Sequence, residues 1–296
     1  MPFAPTPAPS APAAPTVARP VRVGVFDSGV GGLSVLREIL TRAPALDVHY
    51  HADQRRIPWG PQPVDELHRY CHNISQQLAR RGCTHIVVAC NTASAVALQT
   101  LRAEFPTLTF VGMEPAIKPA ATLTRSGVIG LLATPATLAG ELLANTRARH
   151  AAHVDIVSDP CVGLVDAIES GDEAHVHARL NAIVPPLLAR GADVLVLGCT
   201  HYPFALATLA ALAGPAVRLV DPAPAVARQL LRVIGEAPHE PASGLPENAS
   251  SPAPGRVTFS TSGHPDTLRT QIRRLLGHDC EVTSEDWAAL PLPMAE

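Results

Sequence analysis

The chain has 296 residues, 47% hydrophobic and 17% charged, with a mean hydropathy of +0.16; this is apolar material for one large core or two ordinary ones and excludes an intrinsically disordered chain. Lys+Arg 23 against Asp+Glu 26 give a net charge of -3, without the basic excess that phosphate backbones attract, so nucleic acid is not an expected partner. The apolar runs stop well short of the roughly 20 residues of a spanning helix, residues 1–20 resemble neither a secretory signal nor a transit peptide, and no two of the six Cys are spaced two apart; the expectation is no membrane, no metal, reduced thiols and a cytoplasmic location.

In chain order, residues 1–20 hold 7 Pro and 6 Ala, a composition that favours extended, solvated chain, and are read as a disordered tail. VRVGVF at 21–26 predicts a buried strand, and a helix is expected from Gly32 to Leu40. A helix over Val64 to Arg81 leads to a strand in THIVVA at 84–89; SGVIGLLA at 126–133 predicts the next strand, with a helix over Thr137 to His150. A helix over His175 to Arg190, a strand in DVLVLG at 193–198 and a helix over Ala223 to Ile234 follow, and residues 237–255, with 5 Pro, predict an inserted loop. β-Branched runs alternating with Ala/Leu-rich segments are the βα rhythm of a parallel sheet covered on both faces, so the expected class is α/β. Ligands of such sheets bind outside the carboxyl ends of the strands.

Those ends carry chemistry. IVVACNT at 86–92 and LVLGCTH at 195–201 echo each other: an apolar strand, a small residue, a Cys, then hydrogen-bonding side chains. The 109 residues from Cys90 to Cys199 are about one domain's length, which predicts two related halves, each presenting a thiol. A Cys at a strand-to-helix turn lies near the positive end of the helix, so thiolate is expected at both. Cys71, Cys83 and Cys280 read as small buried hydrophobes. A third strand end, VGVFDSGVGGLS at 23–34, places Asp27 and Ser28 before a Gly-rich turn. Gly29 and Gly31 have G-x-G spacing, but Ser34 stands where the third Gly of a dinucleotide loop belongs, so a small anion, a carboxylate as readily as a phosphate, is the preferred guest of its backbone N–H groups. His175 and His177 alternate on a helix, do not face one another, and read as surface.

FDSGVGG at 26–32, ADQRRIPWG at 52–60, CNTASA at 90–95, GMEPA at 112–116, LGCTHYP at 197–203 and TSG at 261–263, in this order over about residues 21–290, resemble the motifs of the cofactor-independent aspartate/glutamate racemase family. The resemblance implies two similar parallel-sheet α/β domains facing each other across a cleft. The first would comprise residues 21–113 plus 222–296 and the second 114–221, with the substrate between them. It implies interconversion of L- and D-glutamate without a cofactor, D-glutamate feeding peptidoglycan synthesis, and it leaves a homodimer open. An aspartate or hydantoin racemase, or a non-catalytic amino-acid-binding module, remains the alternative.

Racemisation removes an α-hydrogen from one face of a carbon and returns a proton to the other, which asks for two acid–base groups on opposite sides. Cys90 and Cys199 are the candidates. Ser28, Asn91, Thr92, Thr200 and the backbone near Gly60 are donors of the kind that would fix the α-carboxylate. By resemblance, Asp27 assists Cys90, His201 with Glu169 assists Cys199, and Asp27, Trp59 and His201 also contact substrate; Glu169 follows Cys161 by eight positions. Three positions depart from the family pattern. Trp59 replaces the usual Tyr and leaves only backbone or indole N–H contacts. Ala136 replaces a commoner Gly, which makes the adjacent Thr137 a weak contact at most, and CVGLVD at 161–166 lacks the usual Pro.

Overall fold

The computed structural model describes residues 21–235 and 254–289, so the expected tail at 1–20 and residues 237–253 of the expected loop lie outside the described residues. Among the described residues ten strands form two sheets, and every strand pairing is parallel. The first sheet contains β1 (Arg22–Asp27), β2 (Asp47–Ala52), β3 (His85–Val88), β4 (Thr109–Gly112), β9 (Val257–Thr261) and β10 (Val282–Ser284), in the order β10-β9-β2-β1-β3-β4. The second contains β5 (Val128–Ala133), β6 (Asp155–Asp159), β7 (Val194–Gly198) and β8 (Arg218–Val220), in the order β6-β5-β7-β8.

The echo in the sequence is an echo of topology. In the first sheet the chain passes from β1 to β2 on one side and returns to β3 and β4 on the other; in the second it passes from β5 to β6 and returns to β7 and β8. Such a reversal opens a crevice at the carboxyl ends of the two central strands. Asp27 ends β1 and Cys90 follows β3; Thr134 follows β5 and Cys199 follows β7. The two thiols occupy equivalent corners of equivalent sheets.

Each sheet is covered on both faces, which is why its central strands are apolar throughout. In β1 every residue after Arg22 is buried. Leu33–Arg42 and Ala223–Ile234 cover one face of the first sheet through Leu33, Leu36, Ile39, Val226 and Leu230, while Val64–Arg80 and Asn91–Glu104 cover the other through Leu67, Ile74, Leu78, Ala97 and Leu101. In the second sheet Leu164–Ser170, Glu173–Ala189 and Leu206–Ala213 pack on one face, Ile117–Leu123 on the other. The helix expected over Thr137 to His150 is instead two, Pro135–Ala139 and Glu141–His150, because Gly140 is extended (φ -75°, ψ 143°) between them. Among the described residues no helix is long and apolar enough to cross a membrane.

Buried imidazoles tie β2 to β9. Ser260 Oγ lies 2.9 Å from both His49 Nε2 and His51 Nδ1, and Trp287 stacks on the His51 ring at 4.1 Å. Burial holds both rings neutral, pushing His49 down to about 4 and His51 well below its ordinary value. The unfolded chain binds these protons first, so their contribution is complete above about pH 6.5 and is lost as pH falls toward 4. A melting temperature that declines over that interval, less steeply in His51→Asn, is the expected result in thermal melts.

Candidate active site

A cavity of about 40 Å³ lies where the carboxyl ends of the two sheets meet. Ser28, Cys90, Asn91, Thr92 and the segment Ile57–Gly60 line it from the first half, and Thr134, Val165, Cys199, Thr200 and His201 from the second. Both expected thiols therefore face one space.

On the first side Cys90 caps the helix Asn91–Glu104. Its thiol donates to Ser28 Oγ (3.8 Å), and Ser28 Oγ donates to Asp27 Oδ1 (3.1 Å), so Asp27 reaches the sulfur through a hydroxyl rather than directly. The expected thiolate is not what this environment favours. Burial, reinforced by the nearby Asp27 carboxylate, pushes the Cys90 thiol up to about 12 and outweighs the helix end, where the Ala93 N–H pulls the other way. Asp27, fully buried, is itself raised by that burial, against hydrogen bonds from Thr200 and Ser28 and the charge of His201.

On the second side Cys199 Sγ stands 3.6 Å from His201 Nδ1, and His201 Nε2 donates to Glu169 Oε1 at 2.8 Å. Cys161 and Gly163 both take left-handed backbone (φ 49° and 80°), turning the chain sharply into the helix Leu164–Ser170 that aims Glu169 at the cleft. Burial alone would lower His201, but hydrogen bonds to Cys199 and Glu169 and their charges raise it well above its ordinary value. For Glu169 burial acts upward; His201, the Val30 N–H and Gln271 outweigh it and hold the carboxyl below its ordinary value. The side chain next to Cys199 is thus an imidazolium backed by a carboxylate.

The Gly-rich turn explains how closely the halves approach. Val30 N–H donates to Glu169 Oε1 (2.9 Å), so this N–H of the turn is taken by one of the protein's own carboxylates, where a small anion is the expected guest. A Cβ on Gly31 would collide with Thr200 Oγ1 and stand 2.5 Å from His201 Nδ1. With no side chain there, Thr200 Oγ1 donates to Asp27 Oδ2 (2.9 Å) and Ser34 Oγ donates to the Thr200 carbonyl (2.9 Å), both across the cleft.

The sequence profile of the Asp/Glu/Hydantoin racemase family matches residues 33–230. A glutamate racemase from Roseiflexus sp. is 46% identical over 260 residues, covering 87% of this chain and 92% of that protein. The crystal structure of a glutamate racemase isoform from Bacillus anthracis superposes with a TM-score of 0.76 at 28% identity, over 90% of this chain and 98% of its own. That of Escherichia coli glutamate racemase, in complex with L-glutamate and the activator UDP-MurNAc-Ala, gives 0.74 at 31% identity, over 90% and 97%. The chain belongs to the Asp/Glu/Hydantoin racemase family.

In this racemase the expected residues Ser28, Trp59, Gly60, Cys90, Asn91, Thr92, Cys199, Thr200 and His201 all line the cavity, with Asp27 and Glu169 one step behind it. Both polar atoms of the buried Asn91 amide lack a protein partner, which leaves a donor and an acceptor for a polar guest. Trp59 differs from the expectation. Its indole N–H donates to Asp53 Oδ2 (3.1 Å), so that N–H is already engaged. Thr137 is buried, and its hydroxyl meets Thr134 Oγ1 (3.0 Å); Thr134, which no sequence motif singles out, lines the cavity and meets Thr92 Oγ1 (3.3 Å) across the cleft. Gln271 escapes sequence reasoning as well, being one polar residue on an amphipathic helix 102 positions from its partner. His175 and His177 are exposed as expected, Cys71 and Cys83 are buried and Cys280 half-buried, and all six thiols are free. Among the described residues no group of three or more His, Cys, Asp or Glu is placed to hold a metal ion.

Proposed function

We propose that this chain interconverts L- and D-glutamate, with Cys90 and Cys199 exchanging the α-proton across opposite faces of the substrate carbon. The observation that carries the reading is one cavity lined by two thiols, one from the end of the third strand of each half, each with its own proton partners. The two environments are complementary. Cys90, pushed up to about 12, is a thiol at neutral pH and suits the acid, while the imidazolium of His201 beside Cys199 suits the base of the opposite transfer. Return of the reaction exchanges the roles, with Ser28 and Asp27 available to take the Cys90 proton.

Removing the α-hydrogen builds charge on the α-carboxylate. Donors from Asn91, Thr92 and the backbone near Gly60 would hold that charge in a site shielded from water, the Ser28 and Thr200 hydroxyls already giving their protons to Asp27. Both thiols come from one chain, so the reaction asks for no second copy. D-Glutamate made this way would serve peptidoglycan synthesis, which places the enzyme in the cytoplasm; the relatives' names support glutamate as the substrate.

Optical rotation with L-glutamate and with L-aspartate tests the reading. A pocket that tells one methylene from none is worth about 10- to 200-fold, so kcat/KM for aspartate should fall below that for glutamate by that order. Enzyme treated with chelator and hydroxylamine should retain its rate. Faster turnover of aspartate, or a glutamate rotation that does not decay, contradicts the proposal.

A further inference from the structure

Glu169 is shared between the two halves of the molecule. It belongs to the second half, yet the first half supplies the Val30 N–H and a side chain from the helix Pro265–Leu276: Gln271 Nε2 donates to Glu169 Oε2 (2.9 Å) and to the Glu169 carbonyl (3.0 Å). The direction of this buried amide is fixed by what stands behind it. Gln54 Nε2 donates to Gln271 Oε1 (2.7 Å), and the Thr261 hydroxyl proton is shared between Gln54 Oε1 (3.1 Å) and the Ala52 carbonyl (3.0 Å). Turning the Gln271 amide over would set oxygen against the carboxylate and one NH₂ group against another. One turn further on, Arg274 Nη2 donates to the carbonyls of Ile168 (2.8 Å) and Glu169 (3.2 Å), gripping the end of the helix that carries the carboxylate.

We propose that Gln271 is a positioning residue for the Cys199 half of the site alone, its amide reaching across the cleft to hold the Glu169 carboxylate against His201 and so orient the imidazole at the Cys199 sulfur. The inference rests on the two-thiol reading above. The chain of contacts runs Gln54, Gln271, Glu169, His201, Cys199, whereas Cys90 is served by Ser28 and Asp27, neither of which Gln271 touches. The consequence is a coupling between docking and chemistry. The acid–base partner of one thiol is fully oriented only when the C-terminal helix is seated on the second half.

Single-thiol variants isolate the two halves. The family resemblance implies that Cys199 acts on L-glutamate and Cys90 on D-glutamate, so with Cys90→Ala, α-hydrogen exchange with heavy water into L-glutamate reports the Cys199 half, and with Cys199→Ala, exchange into D-glutamate reports the Cys90 half. Adding Gln271→Met, which keeps the bulk and removes the amide, should slow the first exchange by about tenfold or more, the loss carried by a hydrogen bond to a charged group, and leave the second unchanged. The second exchange also shows that the variant is folded with its cleft closed.

The acid limb of the first exchange should move to higher pH, because a donor that favours the Glu169 carboxylate is gone. The charged and titratable groups facing Glu169 are His201, Asp27, Tyr50 and Arg274, and the variant leaves all four in place. Equal slowing of both exchanges, or slowing of neither, overturns the assignment. Absence of any exchange by Cys90→Ala with Gln271 intact overturns the two-thiol reading and this assignment with it.

Discussion

Replacing either Cys90 or Cys199 by Ala is expected to lower racemisation in both directions by several orders of magnitude. In the proposed reaction each thiol acts as base in one direction and as acid in the other, and a positioned proton-transfer group contributes about 10²–10⁴-fold. The equilibrium between enantiomers is symmetric, so kcat/KM must fall equally from either side whichever thiol is removed. What distinguishes the variants is exchange without inversion, which each remaining thiol can still support on its own face. Racemisation persisting near the parent rate in either variant, measured by optical rotation, would show that the sulfur in question is not one of the two groups.

A methyl group at Gly31 is expected to cost about 10²-fold in kcat/KM while leaving each half folded. The added Cβ meets Thr200 Oγ1 and the His201 ring, both of which line the cavity, so Gly31→Ala forces the second half away from the first. A displacement near 1 Å between groups that must act together is worth about 10²-fold. The hydrogen bonds this breaks run from Thr200 to Asp27 and from Ser34 to the Thr200 carbonyl, whereas those inside each sheet stay intact. Circular dichroism should therefore match the parent. An unchanged kcat/KM would mean that the approach of the two halves seen at this turn is not needed for turnover.

The parts of this molecule legible in its sequence are those where one local rule acts alone. β1, β3, β5 and β7 are central strands buried on both faces, so they read as unbroken apolar runs, and the residues just beyond them form the site. The strand β2, DVHYHA, is hidden because its buried positions include His49 and His51, imidazoles whose partners, Thr258 and Ser260 for His49 and Ser260 for His51 Nδ1, come from a strand more than 200 residues away. The strands β8 and β10 have three residues each, too few for any period. The same division holds at the site. Cys90 and Cys199 can be found from a motif and its echo, whereas the protonation of Cys90 depends on the balance between a helix end and full burial beside Asp27, which only packing decides. Gln271 and the Val30 N–H act on Glu169 through contacts that close when two sheets meet, and no spacing along the chain records them.

The central claim, two thiols on opposite faces of one carbon, is tested most directly by racemising protiated L-glutamate in heavy water and following deuterium in both enantiomers from the earliest turnovers. The account predicts D-glutamate carrying one solvent deuterium at its α-carbon per molecule formed, while the L-glutamate remaining is still protiated. Product that retains the substrate's own α-hydrogen would contradict it, because a single group would then be taking the proton from one face and returning it to the other.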